Sequence, residues 1–214
     1  MSDLAASSLP AFALTSFVIE MTPGPNMAYL AALSLAQGRH VGFAAVAGIA
    51  LGLSVYGVAA ALGLGTVIAN SRFFYDALRG AGVLYLLWLA WEAWAAEREV
   101  SPAAFANHVL SPGIAFRRGL VTNLLNPKAA VFYVAVLPEF IRISQGSVMN
   151  QTLLLSAIYV AIATFIHAVI VVLANHLQGT IKTPETRRTM RRVLAVLLAG
   201  IAINAVAGSL IGLF

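Results

Sequence analysis

Thr22-Pro23-Gly24-Pro25-Asn26 interrupts the first apolar run of the chain, and Asn126-Pro127-Lys128 interrupts a later one. A proline inside a helix removes a backbone donor and clashes with the preceding turn. In hydrocarbon the carbonyls so freed need other partners, and such breaks persist where they line a polar cavity. Two breaks in comparable positions of the two halves of a chain point to a transporter with a binding site near the bilayer midplane.

The surroundings of both breaks fit a bilayer. Of 214 residues, 60% are hydrophobic and 10% charged, and the mean hydropathy is +0.88. A soluble domain carries roughly 25% charged residues. The chain therefore reads as an all-α integral membrane protein, one transmembrane domain over residues 1–214 with no room for a soluble one. The N-terminus has Asp3 but no basic region and leads into a run that continues past Glu20, unlike a cleaved signal peptide. There is no cysteine, which excludes disulfides, thiol catalysis and Cys-ligated metal. His40, His108, His167 and His176 lack metal-ligand spacing, and no catalytic constellation or phosphate loop is present. No metal, cofactor or enzyme chemistry is expected. The net charge of +5 does not point to nucleic acid, because the basic residues fall in short loops between apolar runs.

A span needs about 20 apolar residues. Six are expected, near 9–35, 43–69, 78–94, 119–141, 149–177 and 193–213. Alternate loops differ in charge. Arg39, Arg98, Arg117, Arg118, Lys182, Arg187, Arg188, Arg191 and Arg192 lie on one side, and only Arg72, Arg79 and Arg142 on the other. The richer side is cytoplasmic by the positive-inside rule, which places both termini outside the cytoplasm. Three spans per half would invert residues 1–96 relative to 115–214, with the broken spans 1 and 4 opening the two halves. Gly48, Gly52 and Gly57 in span 2 let helices approach closely. Packing within the chain is the reading adopted for them, although a homo-oligomer seam would use the same stripe. Trp88, Trp91 and Trp94 read as an interface belt.

The polar residues near the breaks carry the chemistry. Where the helix restarts near Asn26, free amides and the helix dipole suit a carboxylate. The half ending near Glu20 leaves carbonyls suited to an ammonium. Thr22 and Asn26 add side-chain polarity. Glu20 is ionisable at a depth where charge costs about 2.5–3.5 kcal/mol, so it should face protein or water, and it is a candidate proton carrier. Around the second break, Asn123, Asn126, Pro127 and Lys128 bring the one basic residue that lies inside a span. Lys128 is expected to meet a substrate carboxylate or to pair with Glu20. His167, in the middle of span 5 near Thr164 and Tyr159, is a second candidate for proton relay, with a packing role as the alternative.

Thr22-Pro23-Gly24-Pro25-Asn26 followed by Gly38, Gly42 and Gly48 resembles the opening of the lysine exporter family, the LysE/RhtB amino-acid exporters. Asn123-Leu124-Leu125-Asn126-Pro127-Lys128-Ala129 with Phe132, Pro138 and Phe140 resembles the second-half motif of that family, and Gly82 with Tyr85-Leu86-Leu87-Trp88-Leu89 its third span. The resemblance covers essentially the whole chain. It implies an exporter of amino acids and related metabolites in a bacterial inner membrane, driven by the proton gradient or membrane potential. It supports Pro23, Gly24, Pro25, Asn126, Pro127 and Lys128 as motif positions. Where some relatives carry an acidic residue midway along span 5, this chain has Thr164 and His167.

The reading is a six-span secondary exporter with a small zwitterion bound between spans 1 and 4, with the lipid bilayer as a further partner and a homo-oligomer left open. Tyr29, Phe132 and Tyr133 are expected to shape the side-chain pocket. Rival readings are a cation or metal efflux protein, a membrane-embedded enzyme and a non-transporting scaffold. The first would want several oxygen ligands, and Glu20 is the only acidic residue expected at depth.

Overall fold

A computed structural model of the chain describes residues 2–63 and 110–180 except 143 and 145, together with positions 73, 77, 80, 81, 84, 85, 87, 88, 91 and 196. The expected third and sixth spans, Trp94, and the repeat that depends on those spans lie outside the continuous described stretches. Among the described residues there are six helices and no strand. They are α1 (Ser2–Met21), α2 (Pro25–Gln37), α3 (Arg39–Ala61), α4 (Pro112–Leu124), α5 (Pro127–Val131) and α6 (Val148–Thr180). α5 continues as a π-helical turn over Phe132–Val136 and a 3-10 turn over Leu137–Phe140.

By length and composition, Arg39–Ala61 and Val148–Leu177 can each cross a membrane. Pro112–Leu124 and Pro127–Phe140, bent by 50° at Leu125–Asn126, pass together as a third span. The apolar part of α1, Leu9–Met21, is shorter.

Both expected breaks are present. α1 stops at Met21 and α2 restarts at Pro25; α4 stops at Leu124 and α5 restarts at Pro127. Proline opens each new helix, where its missing N–H is no loss. One expected boundary moves. α4 begins at Pro112 rather than near 119, because Ser111 caps it by accepting from the Ile114 amide at 3.3 Å. Arg117 and Arg118, counted above as loop charges, therefore lie within α4. Between α2 and α3 the chain reverses at Gly38, whose φ of +82° suits glycine.

Close helix approach organises the scaffold. A Cβ on Gly48 would fall on the Phe116 carbonyl, and one on Gly119 would fall on the Ala45 carbonyl, so α3 and α4 cross backbone to backbone. Further along α3, Gly52 faces Asn123 and Gly57 faces Ser156 of α6. The glycine stripe is thus used inside the chain. α6 lays a buried stripe of Leu155, Tyr159, Ala163, His167 and Val171, four residues apart, against α1, α2 and α3. Its opposite face exposes Phe165, Val172 and Leu173. An aromatic cluster lies beneath the breaks. Phe132 stacks on Tyr159 with centroids 3.6 Å apart, and Phe12 meets both Phe132 and Phe140.

Candidate functional site

Each broken helix leaves backbone carbonyls at its C-terminus without helical partners. The two breaks satisfy them differently. At the end of α4 the Leu124 carbonyl accepts from the Tyr56 hydroxyl of α3 at 2.7 Å. At the end of α1 the donor is the Lys128 ammonium, reaching across from α5. Lys128 Nζ donates to the Thr22 carbonyl at 2.8 Å and to the Glu20 carbonyl at 3.4 Å. A cation at a helix C-terminus also suits the helix dipole.

Glu20 is 4% exposed and lies where α1, α5 and α6 meet. Its Oε2 accepts from the Tyr159 hydroxyl at 3.0 Å and stands 3.8 Å from Lys128 Nζ. Its Oε1 stands 3.0 Å from His167 Nε2, as an ion-pair contact rather than an aligned hydrogen bond. His167 is 1% exposed, and its Nδ1 has no hydrogen-bond partner among the described residues.

α2 opens at Gly24 with extended backbone (φ −148°, ψ 179°) and no capping side chain. Pro25 has no N–H, and the first helical bond runs from the Ala28 amide to the Gly24 carbonyl. The amides of Asn26 and Met27 therefore precede the helical ladder. The second break is capped locally, with Asn126 Oδ1 accepting from the Lys128 amide at 3.0 Å. The two breaks are also tied to each other, because buried Asn26 Nδ2 donates to Asn123 Oδ1 at 2.9 Å.

These groups surround a narrow cleft lined by Glu20, Gly24, Asn26, Met27, Leu53, Asn126, Lys128, Ala129 and Tyr159. Of the residues singled out from sequence, Glu20, Gly24, Asn26, Asn126 and Lys128 line it. Pro25 and Pro127 start the helices that carry them. Asn123 sits behind Asn26. His167 contacts the far side of Glu20. Thr22 contributes its carbonyl, while its hydroxyl turns back to the Val18 carbonyl at 3.4 Å; Pro23 is exposed. Tyr29, Phe132 and Tyr133 are buried but do not line this cleft. Phe132 supports the Tyr159 ring, and the Tyr133 hydroxyl donates to the Leu53 carbonyl at 2.9 Å.

Tyr159, noted in the sequence only as a neighbour of His167, is the main site residue to which the sequence assigned no role. Its separation of two helical turns from His167 was the available signal, since it places both on the face of α6 turned toward Glu20. Met27, Leu53 and Ala129 are apolar residues in apolar runs and carry no such signal. Among the described residues no group of three His, Cys, Asp or Glu side chains is arranged to hold a metal ion.

Residues 17–209 match the LysE type translocator family. The chain is 29% identical over 187 residues to a homoserine/homoserine lactone efflux protein of Salmonella typhi, covering 87% of this chain and 90% of that one. It is 28% identical over 145 residues to a leucine efflux protein of Enterobacter sp. (strain 638), covering 68% and 69%. An uncharacterized membrane protein of Bacillus subtilis (strain 168) is 26% identical over 205 residues, covering 92% and 97%. No solved structure matches the chain.

Proposed function

The chain belongs to the LysE type translocator family, and from that premise we propose that it exports amino acids or closely related small zwitterions across a bacterial inner membrane as a secondary transporter. The observation that carries this reading is the pairing of Glu20 and Lys128 in one cleft between two broken helices, with His167 behind Glu20. An acid and a base a few ångströms apart, with helix ends beside them, match the two charges of an α-amino acid. The substrate ammonium would lie against Glu20 and the carbonyls that end α1. Its carboxylate would lie against Lys128 and the opening amides of α2 at Asn26 and Met27. Two of the relatives are named for homoserine or its lactone and for leucine. Their shared backbone chemistry is what such a site reads, and Met27, Leu53 and Ala129 leave the side-chain end apolar.

The plan completed by this reading has six spans in two inverted halves, with both termini outside the cytoplasm and broken spans 1 and 4 meeting at the midplane. Export would be driven by the proton gradient or the membrane potential. Glu20 and His167 are the proposed proton carriers, since Glu20 lines the cleft and its Oε1 stands 3.0 Å from His167 Nε2 behind it. Cation efflux is the weaker reading: Lys128 places a positive charge within 3.8 Å of the one carboxylate lining the cleft.

The test is export by cells. Expressed in a host sensitised to individual amino acids, the protein should raise the extracellular level of at least one of them. Glu20→Gln should abolish that rise at comparable membrane abundance. Wild-type export of every tested amino acid by Glu20→Gln would show that the site is elsewhere.

A further inference from the structure

We infer that Lys128 is a tethered competitor for the substrate's own amino group, and that its displacement makes the site demand a carboxylate or carbonyl oxygen beside the amine. The inference rests on the amino-acid reading above and deepens it. The carbonyls that end α1 are the place that reading gives to the substrate ammonium. In the structure an ammonium is already there. Lys128 Nζ lies 2.8 Å from the Thr22 carbonyl, 3.4 Å from the Glu20 carbonyl and 3.8 Å from Glu20 Oε2. These are the contacts an incoming amine would need.

The contrast between the two breaks marks this ammonium as the displaceable partner. The Leu124 carbonyl at the end of α4 is closed by Tyr56, a hydroxyl on a stiff, ring-stacked side chain of the scaffold helix α3. At the end of α1 the Glu20 and Thr22 carbonyls are met by the tip of a long side chain that keeps 21% of its surface exposed. The lysine stem passes over Gly24, where a Cβ would stand 3.3 Å from Cδ, so the absence of a side chain there leaves the stem room to swing.

Displacement has a consequence for recognition. A substrate amine that takes the carbonyls leaves Lys128 needing a new acceptor within the reach of its stem. An amino acid brings one, its carboxylate, and every charge stays paired. A plain alkylamine brings none, and two cations would then face one carboxylate. An unpaired charge at this depth is costly enough to disfavour the alkylamine by on the order of 100-fold.

The chain has no cysteine, so Lys128→Cys introduces a unique thiol. Alkylation of that thiol with 2-bromoethylamine displaces bromide, forms a carbon–sulfur bond and rebuilds an ammonium at the length of lysine. Purified protein is tested by competition of a labelled exported amino acid against the unlabelled amino acid and against the alkylamine of the same side chain. In the wild type the alkylamine should compete at least about tenfold more weakly than the amino acid. Lys128→Cys should bring the alkylamine to within a few-fold of the amino acid, and aminoethylation should restore the discrimination in the same preparation. Equal competition by alkylamine and amino acid in the wild type would overturn the proposal without any variant. So would a Lys128→Cys protein that binds the amino acid yet still excludes the alkylamine. If the wild type binds no amino acid at all, the substrate reading itself fails and this proposal falls with it.

Discussion

Gly52→Ala is a one-methyl perturbation of the link between the two breaks. The new Cβ would stand 2.7 Å from Asn123 Nδ2 and 3.0 Å from Asn123 Cβ, where ordinary contact begins at 3.4 Å. Asn123 would have to retreat by roughly 0.7 Å, or α3 and α4 would have to part by as much. The Asn26–Asn123 hydrogen bond is 2.9 Å long, and a shift of that size carries it past about 3.5 Å, beyond useful hydrogen bonding. Overpacking costs about 1–3 kcal/mol, and a buried amide left without its partner costs about the same. At about 2–4 °C per kcal/mol for a chain of this size, a combined cost of about 2–6 kcal/mol should lower the melting temperature by roughly 4–24 °C. Scanning fluorimetry in detergent measures it, and amino-acid export should fall in parallel because the breaks lose their register. Gly113→Ala is the control: nothing lies within 4 Å of its Cβ position, and it should melt like the wild type. A Gly52→Ala protein that melts within about 2 °C of the wild type and exports normally would refute the claim that this close approach holds the two breaks together.

Two further substitutions separate the site from its support. Tyr159→Phe removes only the hydroxyl that donates to Glu20 and keeps the ring stacked on Phe132; a hydrogen bond to a charged group is worth about 1.5–3 kcal/mol, so substrate affinity should drop at least about tenfold, and unchanged affinity in a binding assay would remove Tyr159 from the site. Tyr56→Phe frees the Leu124 carbonyl but leaves the cleft lining intact; it should lower the melting temperature by about 2–4 °C without changing substrate affinity, and an affinity loss with normal melting would contradict its assignment as scaffold.

The breaks were legible because proline and glycine act locally. Pro10 is carried inside α1, but Pro23, Gly24 and Pro25 stand together and Pro127 follows Asn126, each set pairing a poor helix interior with a favoured helix start, and both interruptions fall at those residues. The glycine stripe on α3 was legible for a similar reason, since small residues spaced along a helix have few uses other than close approach. The start of α4 was misplaced because the long apolar run drew attention from the shorter signal of Ser111-Pro112, a cap followed by a proline at the first helical position. Partnerships across helices were less accessible. Periodicity shows which residues share a face of one helix, but not which other helix that face meets. Glu20 and Lys128 were singled out by their charge in apolar runs, whereas the hydroxyl of Tyr159 and the Asn26–Asn123 link needed the packing of α1 on α6 and of α2 on α4 to become visible. Tyr29, Phe132 and Tyr133 were chosen as aromatic residues close in sequence to the breaks. All three are buried outside the cleft lining, where Phe132 stacks on Tyr159 and the Tyr133 hydroxyl donates to the Leu53 carbonyl.

The most direct measurement is counterflow in proteoliposomes containing the purified wild-type protein, loaded with one unlabelled amino acid and diluted into a trace of the same amino acid carrying a label. The account predicts transient accumulation of label for at least one amino acid with an uncharged side chain, absent from protein-free liposomes and from liposomes containing Glu20→Gln. Label that never rises above the protein-free level, for any amino acid tested, would contradict it.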